Sequence, residues 1–141
     1  DLLTQFIKRT GTDSYLPSNT PPPVIQPDLV PQARVILLEQ ETGKPLPLVG
    51  KNEFTLGRIS PGQTGTPDVD LTPFKGYERG VSRVHASIRV QHKNVTLTDL
   101  GSSNGTRLNG EKLPPHAPHP VQNRDMVALG KLKLQVVIRS D

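Results

Sequence analysis

The sequence predicts an all-β domain, an antiparallel sandwich, behind an extended proline-rich tail. Three observations carry that reading. From residue 33 onward apolar side chains recur with a period of two, 15 prolines and 12 glycines punctuate the 141 residues, and no apolar stripe of helical length follows Pro31. Successive side chains of a strand point to opposite faces, so a period of two marks a half-buried strand, and Gly/Pro clusters mark the turns between strands.

Residues 1–31 stand apart in character and are assigned to a flexible tail or linker, with the domain occupying 32–141. Leu2, Leu3, Phe6 and Ile7 share one side of a single helical turn, too short to persist alone. Pro17, Pro21, Pro22, Pro23, Pro27 and Pro31 then follow among polar residues, the composition of a semi-rigid spacer. Because the chain begins with Asp1 rather than Met, it reads as a piece of a longer polypeptide.

Within the domain, Arg34 to Leu38, Pro45 to Val49, Glu53 to Leu56 and Val69 to Leu71 form short apolar runs. Val84, Ala86, Ile88 and Val90 alternate with polar neighbours and are expected to face the core. Val95 and Leu97 continue the pattern, followed by Met126 to Leu129 and by Leu132, Leu134, Val136 and Ile138. Asn104-Gly105 and Asn109-Gly110 both suit the positive backbone angles of a tight type I′ hairpin turn, leaving Thr106-Arg107-Leu108 as a very short strand between them.

Composition excludes several classes. The chain has no cysteine, hence no disulfide framework and no thiolate metal site. No segment approaches the roughly 20 apolar residues of a membrane span, and no signal-peptide pattern opens the chain. A net charge of +4 favours anionic partners, but the basic residues are scattered singly and aromatics make up only 4% of the chain, which argues against a nucleic-acid surface. His116 and His119 lie in a proline-rich loop without a neighbouring carboxylate or thiol, so no metal or other cofactor is expected. Ser82, His85 and Asp99 make a poor hydrolase triad, because no glycine-flanked elbow surrounds the serine.

The residues with chemistry left in them are Gly57-Arg58, Ser82-Arg83-Val84-His85, Asp99-Leu100-Gly101-Ser102-Ser103-Asn104-Gly105-Thr106, Asn109-Gly110, and Asn123-Arg124-Asp125 ahead of an apolar strand and Gly130. In this order, within an all-β pattern over about residues 33–139, they resemble the forkhead-associated (FHA) domain, bacterial type. The resemblance implies a SMAD/FHA-type sandwich of about 11 strands and a non-catalytic module that binds phosphothreonine peptides. Carried over residue by residue, it implies that Arg58 and Ser82 hold the phosphate, that Arg83 adds a basic contact, that Ser103 supports the phosphate site and that Asn104 bonds the peptide backbone. Gly57, His85 and Gly105 would shape the site. An arginine fork matches phosphate geometry, and hydroxyl, amide and backbone N–H groups complete such a cradle.

The expected partners are a phosphothreonine-containing protein and, upstream, a Ser/Thr protein kinase, in the cytoplasm and without nucleic acid or membrane contact. About 23 residues separate Arg58 from Ser82, more than is usual in the family. The position two before the serine, which reads the third residue after phosphothreonine in some members, is Gly80, so that preference falls to Arg79, Lys75 or another group. Thr10, with Asp13 three residues on, is a candidate phosphorylation site that the domain would itself capture. A phosphate-independent scaffolding module is the other alternative.

Overall fold

The computed structural model describes residues 33–92 and 94–139. The tail, with its helical turn and Thr10, lies outside the described residues. Eleven strands follow in chain order: β1 (Val35–Glu39), β2 (Pro45–Leu48), β3 (Glu53–Gly57), β4 (Val69–Asp70), β5 (Val84–Gln91), β6 (Asn94–Asp99), β7 (Thr106–Leu108), β8 (Glu111–Lys112), β9 (His119–Pro120), β10 (Met126–Leu129) and β11 (Leu132–Ile138). A 3-10 turn at Thr72–Phe74 follows β4.

Two sheets form, one ordered β2-β1-β11-β10-β7-β8 and the other β4-β3-β5-β6-β9. Pairing is antiparallel except between β3 and the two-residue β4, where Leu56 lies beside Val69 in parallel. The core between the sheets is built from the alternation that the sequence displays. Val35, Leu37, Leu132, Leu134 and Val136 from one sheet and Leu56, Ile88 and Leu97 from the other are completely buried. Each such side chain contributes about 1.5–3 kcal/mol relative to exposure, so the core anchors the strands from whose ends the loops spring.

Two expectations are corrected. Asn109 and Gly110 both have positive φ, 52° and 88°, and form the tight turn between β7 and β8. Asn104-Gly105 does not form a hairpin. It lies where the chain crosses from β6 in one sheet to β7 in the other, and only Gly105 of the pair has positive φ. The second correction is Val84, expected inside but 57% exposed. Gly57 pairs with Val84 while Leu56 pairs with Ala86, so β5 carries one extra residue, His85, opposite the end of β3. This β-bulge reverses the alternation locally, as an unpaired extra residue must. Val84 swings to solvent and His85 turns fully inward.

Gly57 makes the bulge possible. A Cβ there would overlap the Arg83 carbonyl oxygen, which is backbone and unable to step aside. Gly57→Ala should therefore cost about 1–3 kcal/mol, the range of a forced overpacking. Urea denaturation would measure it, and the midpoint should fall with an unchanged m-value.

Candidate functional site

The bulge sets the geometry of one end of the sandwich. His85 is entirely buried between two loops: its Nδ1 accepts the Ser82 backbone N–H at 2.9 Å, and its Nε2 faces the Gly105 carbonyl at 3.0 Å. Since Nδ1 is the acceptor, the network assigns the proton to Nε2, which donates to Gly105. One neutral imidazole thus ties the β5 approach to the segment between β6 and β7. The Leu100 N–H adds a bond to the His85 carbonyl at 2.9 Å.

Asp99 folds the second loop. Its buried carboxylate accepts from Gly101 N at 3.0 Å, Ser102 N at 3.2 Å, and the Ser102 and Thr106 hydroxyls at 2.6 Å each. Ser102 Oγ in turn accepts the Gly105 N–H at 3.0 Å. This is an Asx-type turn, in which a side chain stands in for the carbonyl of a backbone turn. It presents Ser103 and Asn104 to solvent, both exposed. The Ser103 N–H donates to Ser82 Oγ at 3.0 Å, and Asn104 Nδ2 donates to the Gly80 carbonyl at 2.9 Å.

Arg58 leaves β3 half-buried. Its Nε donates to the Val81 carbonyl at 2.6 Å, and its Cζ sits 4.9 Å from the centre of the Tyr77 ring. Those two contacts use the inner edge and one face of the guanidinium. The Nη amino groups have no partner among the described residues and stand in an open groove. Gln63, Thr64, Ser82, Arg83, Val84 and Ser103 line that groove with it. None of these is acidic, so Arg58 and Arg83 are not neutralised there. Ser82 Oγ, having accepted from Ser103, still has its own proton to donate into the groove.

The structure thus brings Arg58, Ser82, Arg83 and Ser103 around one groove, with Asn104 beside them. Gly57, His85 and Gly105 lie beneath as supports. Arg79 goes elsewhere: its guanidinium is 3.5 Å from Glu41 in the turn between β1 and β2. Gly80 has φ +85°, and a Cβ there would stand 2.6 Å from Asn104 Nδ2, so only glycine lets the Asn104 amide reach the Gly80 carbonyl.

Several groups at the site carry no signal in the sequence: the Val81 carbonyl, Tyr77, and the groove wall of Gln63 and Thr64. The wall belongs to the long segment between Arg58 and Ser82, pinned at its ends by Ile59 N donating to Thr72 Oγ1 at 2.8 Å and Asp68 Oδ2 accepting from Thr55 N at 2.9 Å. The Ser82-His85-Asp99 triad does not assemble. His85 meets the Ser82 backbone rather than its hydroxyl, and both ring nitrogens are engaged. Among the described residues no cluster of three or more metal-ligating side chains occurs, and no helix is long and apolar enough to cross a membrane.

Burial pushes His85 below its ordinary 6.5, against smaller upward pulls from the Gly105 carbonyl and the Asp99 carboxylate. For Asp99, burial raises the value, but the bonds from Ser102, Thr106 and the Gly101 and Ser102 N–H groups outweigh it and hold the carboxyl below 3.8. The sign of the His85 effect follows from linkage. The unfolded chain takes up the proton more readily than the folded one, so the stabilisation is complete above about pH 6.5 and is lost as pH falls through the lowered folded value. Unfolding free energy should decline below pH 6.5, and His85→Gln should flatten that decline while lowering stability at neutral pH. An NMR titration should show the His85 ring taking up its second proton only below the ordinary 6.5, its neutral form protonated at Nε2.

The family model for the FHA domain matches residues 54–130. Protein FraH of Nostoc sp. is 45% identical over 65 residues, 46% of this chain and 22% of FraH. The probable E3 ubiquitin-protein ligase dma1 of Schizosaccharomyces pombe is 37% identical over 67 residues, 45% of this chain and 24% of the ligase. The matched regions therefore span less than a quarter of each curated relative. Among solved structures, the FHA domain of an Arabidopsis thaliana hypothetical protein is 25% identical with a TM-score of 0.60, over 80% of this chain and 90% of that one. Mycobacterium tuberculosis EmbR, in complex with a low-affinity phosphopeptide, is 24% identical with a TM-score of 0.62, over 78% of this chain and 26% of EmbR.

Proposed function

This chain belongs to the FHA domain family, and from that premise we propose that it recognises phosphothreonine peptides made by a Ser/Thr protein kinase. The observation that carries the reading is the state of Arg58. Its Nε is fixed on the Val81 carbonyl and its face on Tyr77, while the Nη groups stand without a counter-charge in a groove that contains no carboxylate. A cation aimed and left unpaired is a receptor for an anion. Phosphothreonine supplies about −1.5 to −2 charges and several strong acceptors.

In this reading Arg58 and the Ser82 hydroxyl grip the phosphate, with Arg83 and Ser103 completing the cradle. Asn104 has its Nδ2 on Gly80, so its carbonyl oxygen is left to accept a peptide N–H. Two or three charge-assisted bonds at about 1.5–3 kcal/mol each, less ordering costs, suit reversible micromolar binding. The module works by binding and without catalysis, in the cytoplasm where the kinase has its ATP. The similarity to a Nostoc protein favours a bacterial kinase pathway.

Calorimetry with a phosphothreonine peptide tests this. Arg58→Ala should cost about 2–5 kcal/mol of affinity, since the phosphate would enter a site without its main counter-charge. The same substitution should keep the fold while lowering stability by about 1 kcal/mol, since the Val81 carbonyl and the Tyr77 ring lose their partner, and equal affinities would remove Arg58 from the site. A matched phosphoserine peptide should bind about tenfold more weakly, the value of one fitted methyl group.

A further inference from the structure

Four large apolar side chains are exposed among the described residues: Val49, Ile59, Tyr77 and Val84, at 46%, 39%, 72% and 57%. Singly exposed apolar residues are ordinary and call for no explanation. Their placement here is not scattered. Ile59 is the residue after Arg58, the Tyr77 ring lies against the Arg58 guanidinium, and Val84 lines the Arg58 groove itself. Only Val49, at the end of β2, lies apart from Arg58 in the sequence, the sheet order and the groove lining.

Each of the three is held out of the core by local structure. Val84 is turned out by the bulge that buries His85. Ile59 is fixed by its N–H bond to Thr72 Oγ1. Tyr77 lies in the turn closed by Gly80 N donating to the Tyr77 carbonyl at 3.1 Å. From this collar, and resting on the phosphothreonine reading above, we propose that the site has apolar subsites flanking the phosphate seat. The domain then selects phosphothreonines whose neighbouring residues are aliphatic or aromatic.

The physical division of labour is plain. The phosphate supplies charge-assisted bonds to Arg58 and Ser82 that any phosphothreonine can make. Discrimination between ligands comes from area removed from water on Val84, Ile59 and Tyr77 as the neighbouring side chains settle. Beside Val84 the groove is walled by Thr64 and by Gly101, over which the His116 imidazole packs, its Nε2 3.4 Å from where a Gly101 Cβ would be.

The test uses phosphothreonine peptides in which the positions on each side of the phosphothreonine are, in turn, Leu, Ser, Asp or Lys. Titrated calorimetrically against the full chain, the best Leu-flanked peptide should bind about five- to twentyfold more tightly than its Ser-flanked counterpart. In the double variant Val84→Thr with Ile59→Thr, which keeps β-branched shape, that advantage should shrink to about twofold or less. In both proteins the Ser-flanked phosphopeptide should bind more tightly than its unphosphorylated form, which checks that the phosphate seat and the fold persist in the double variant. Equal binding of all flanks, a preference for Asp or Lys, or a Leu advantage that survives in the double variant would overturn the apolar subsites while leaving the phosphate reading in place. Failure of every phosphopeptide to bind would remove both.

Discussion

The site depends on one buried imidazole. His85 has no solvent exposure, and it spans from the Ser82 N–H to the Gly105 carbonyl. Remove it and the two loops that carry Ser82 and Asn104 lose their common anchor, while a donor and an acceptor are left buried without partners. Such orphans cost about 1–3 kcal/mol each. The imidazole fits this position because it alone among neutral side chains offers an acceptor and a donor on opposite sides of a flat, rigid ring. The bulge that turns it inward, and Gly57 that lets the strands approach there, follow from that requirement.

From His85 outward the arrangement is hierarchical. The Asp99 carboxylate organises the turn from Gly101 to Thr106, and Ser102 relays that order to the Gly105 N–H. Alongside these internal bonds, Ser103 and Asn104 reach across to Ser82 Oγ and the Gly80 carbonyl. The buried polar groups of the site are therefore satisfied before a ligand arrives. The groups that remain, Arg58 Nη, the Ser82 hydroxyl proton and Asn104 Oδ1, converge from three separate loops. Binding energy need not be spent on assembling them.

Much of this was legible in the sequence, and what was not has identifiable physical causes. Period-two alternation located β5, β6 and β11, and short apolar runs located β1, β2, β3, β4 and β10, to within a residue or two, because strands buried on one face repeat their environment every second residue. It missed β8 and β9, which have two residues each and are too short to display a period. It placed Val84 inside, since a bulge is one inserted residue and leaves the composition of the strand unchanged. Asn104-Gly105 looked like a hairpin because dipeptide chemistry reports a permitted backbone angle and says nothing of whether the flanking strands share a sheet. Arg58, Ser82 and Asn104 were legible as a spaced set, and the structure brings them to one end of the sandwich. Tyr77 and the Val81 carbonyl were not, because one acts through tertiary stacking and the other through backbone that any residue carries.

Gly80 shows how a local geometric constraint decides which positions at the site can carry a side chain. A side chain at that position would read the ligand only at the expense of Asn104, whose amide occupies the space a Cβ would need. Arg79, the neighbouring cation, is drawn off to Glu41 and gives its carbonyl to the Lys131 N–H at 2.8 Å. Beside Arg58, whose Nη groups have no partner among the described residues, three apolar side chains are exposed: Ile59, Tyr77 and Val84. Tyr77 then has two functions that need not be separable, since the ring that covers one face of Arg58 also extends the surface on which a neighbouring ligand residue would rest. On the proposed reading affinity and selectivity would be coupled through that side chain, whereas Val84, turned out into the groove by the strand bulge, would act on selectivity.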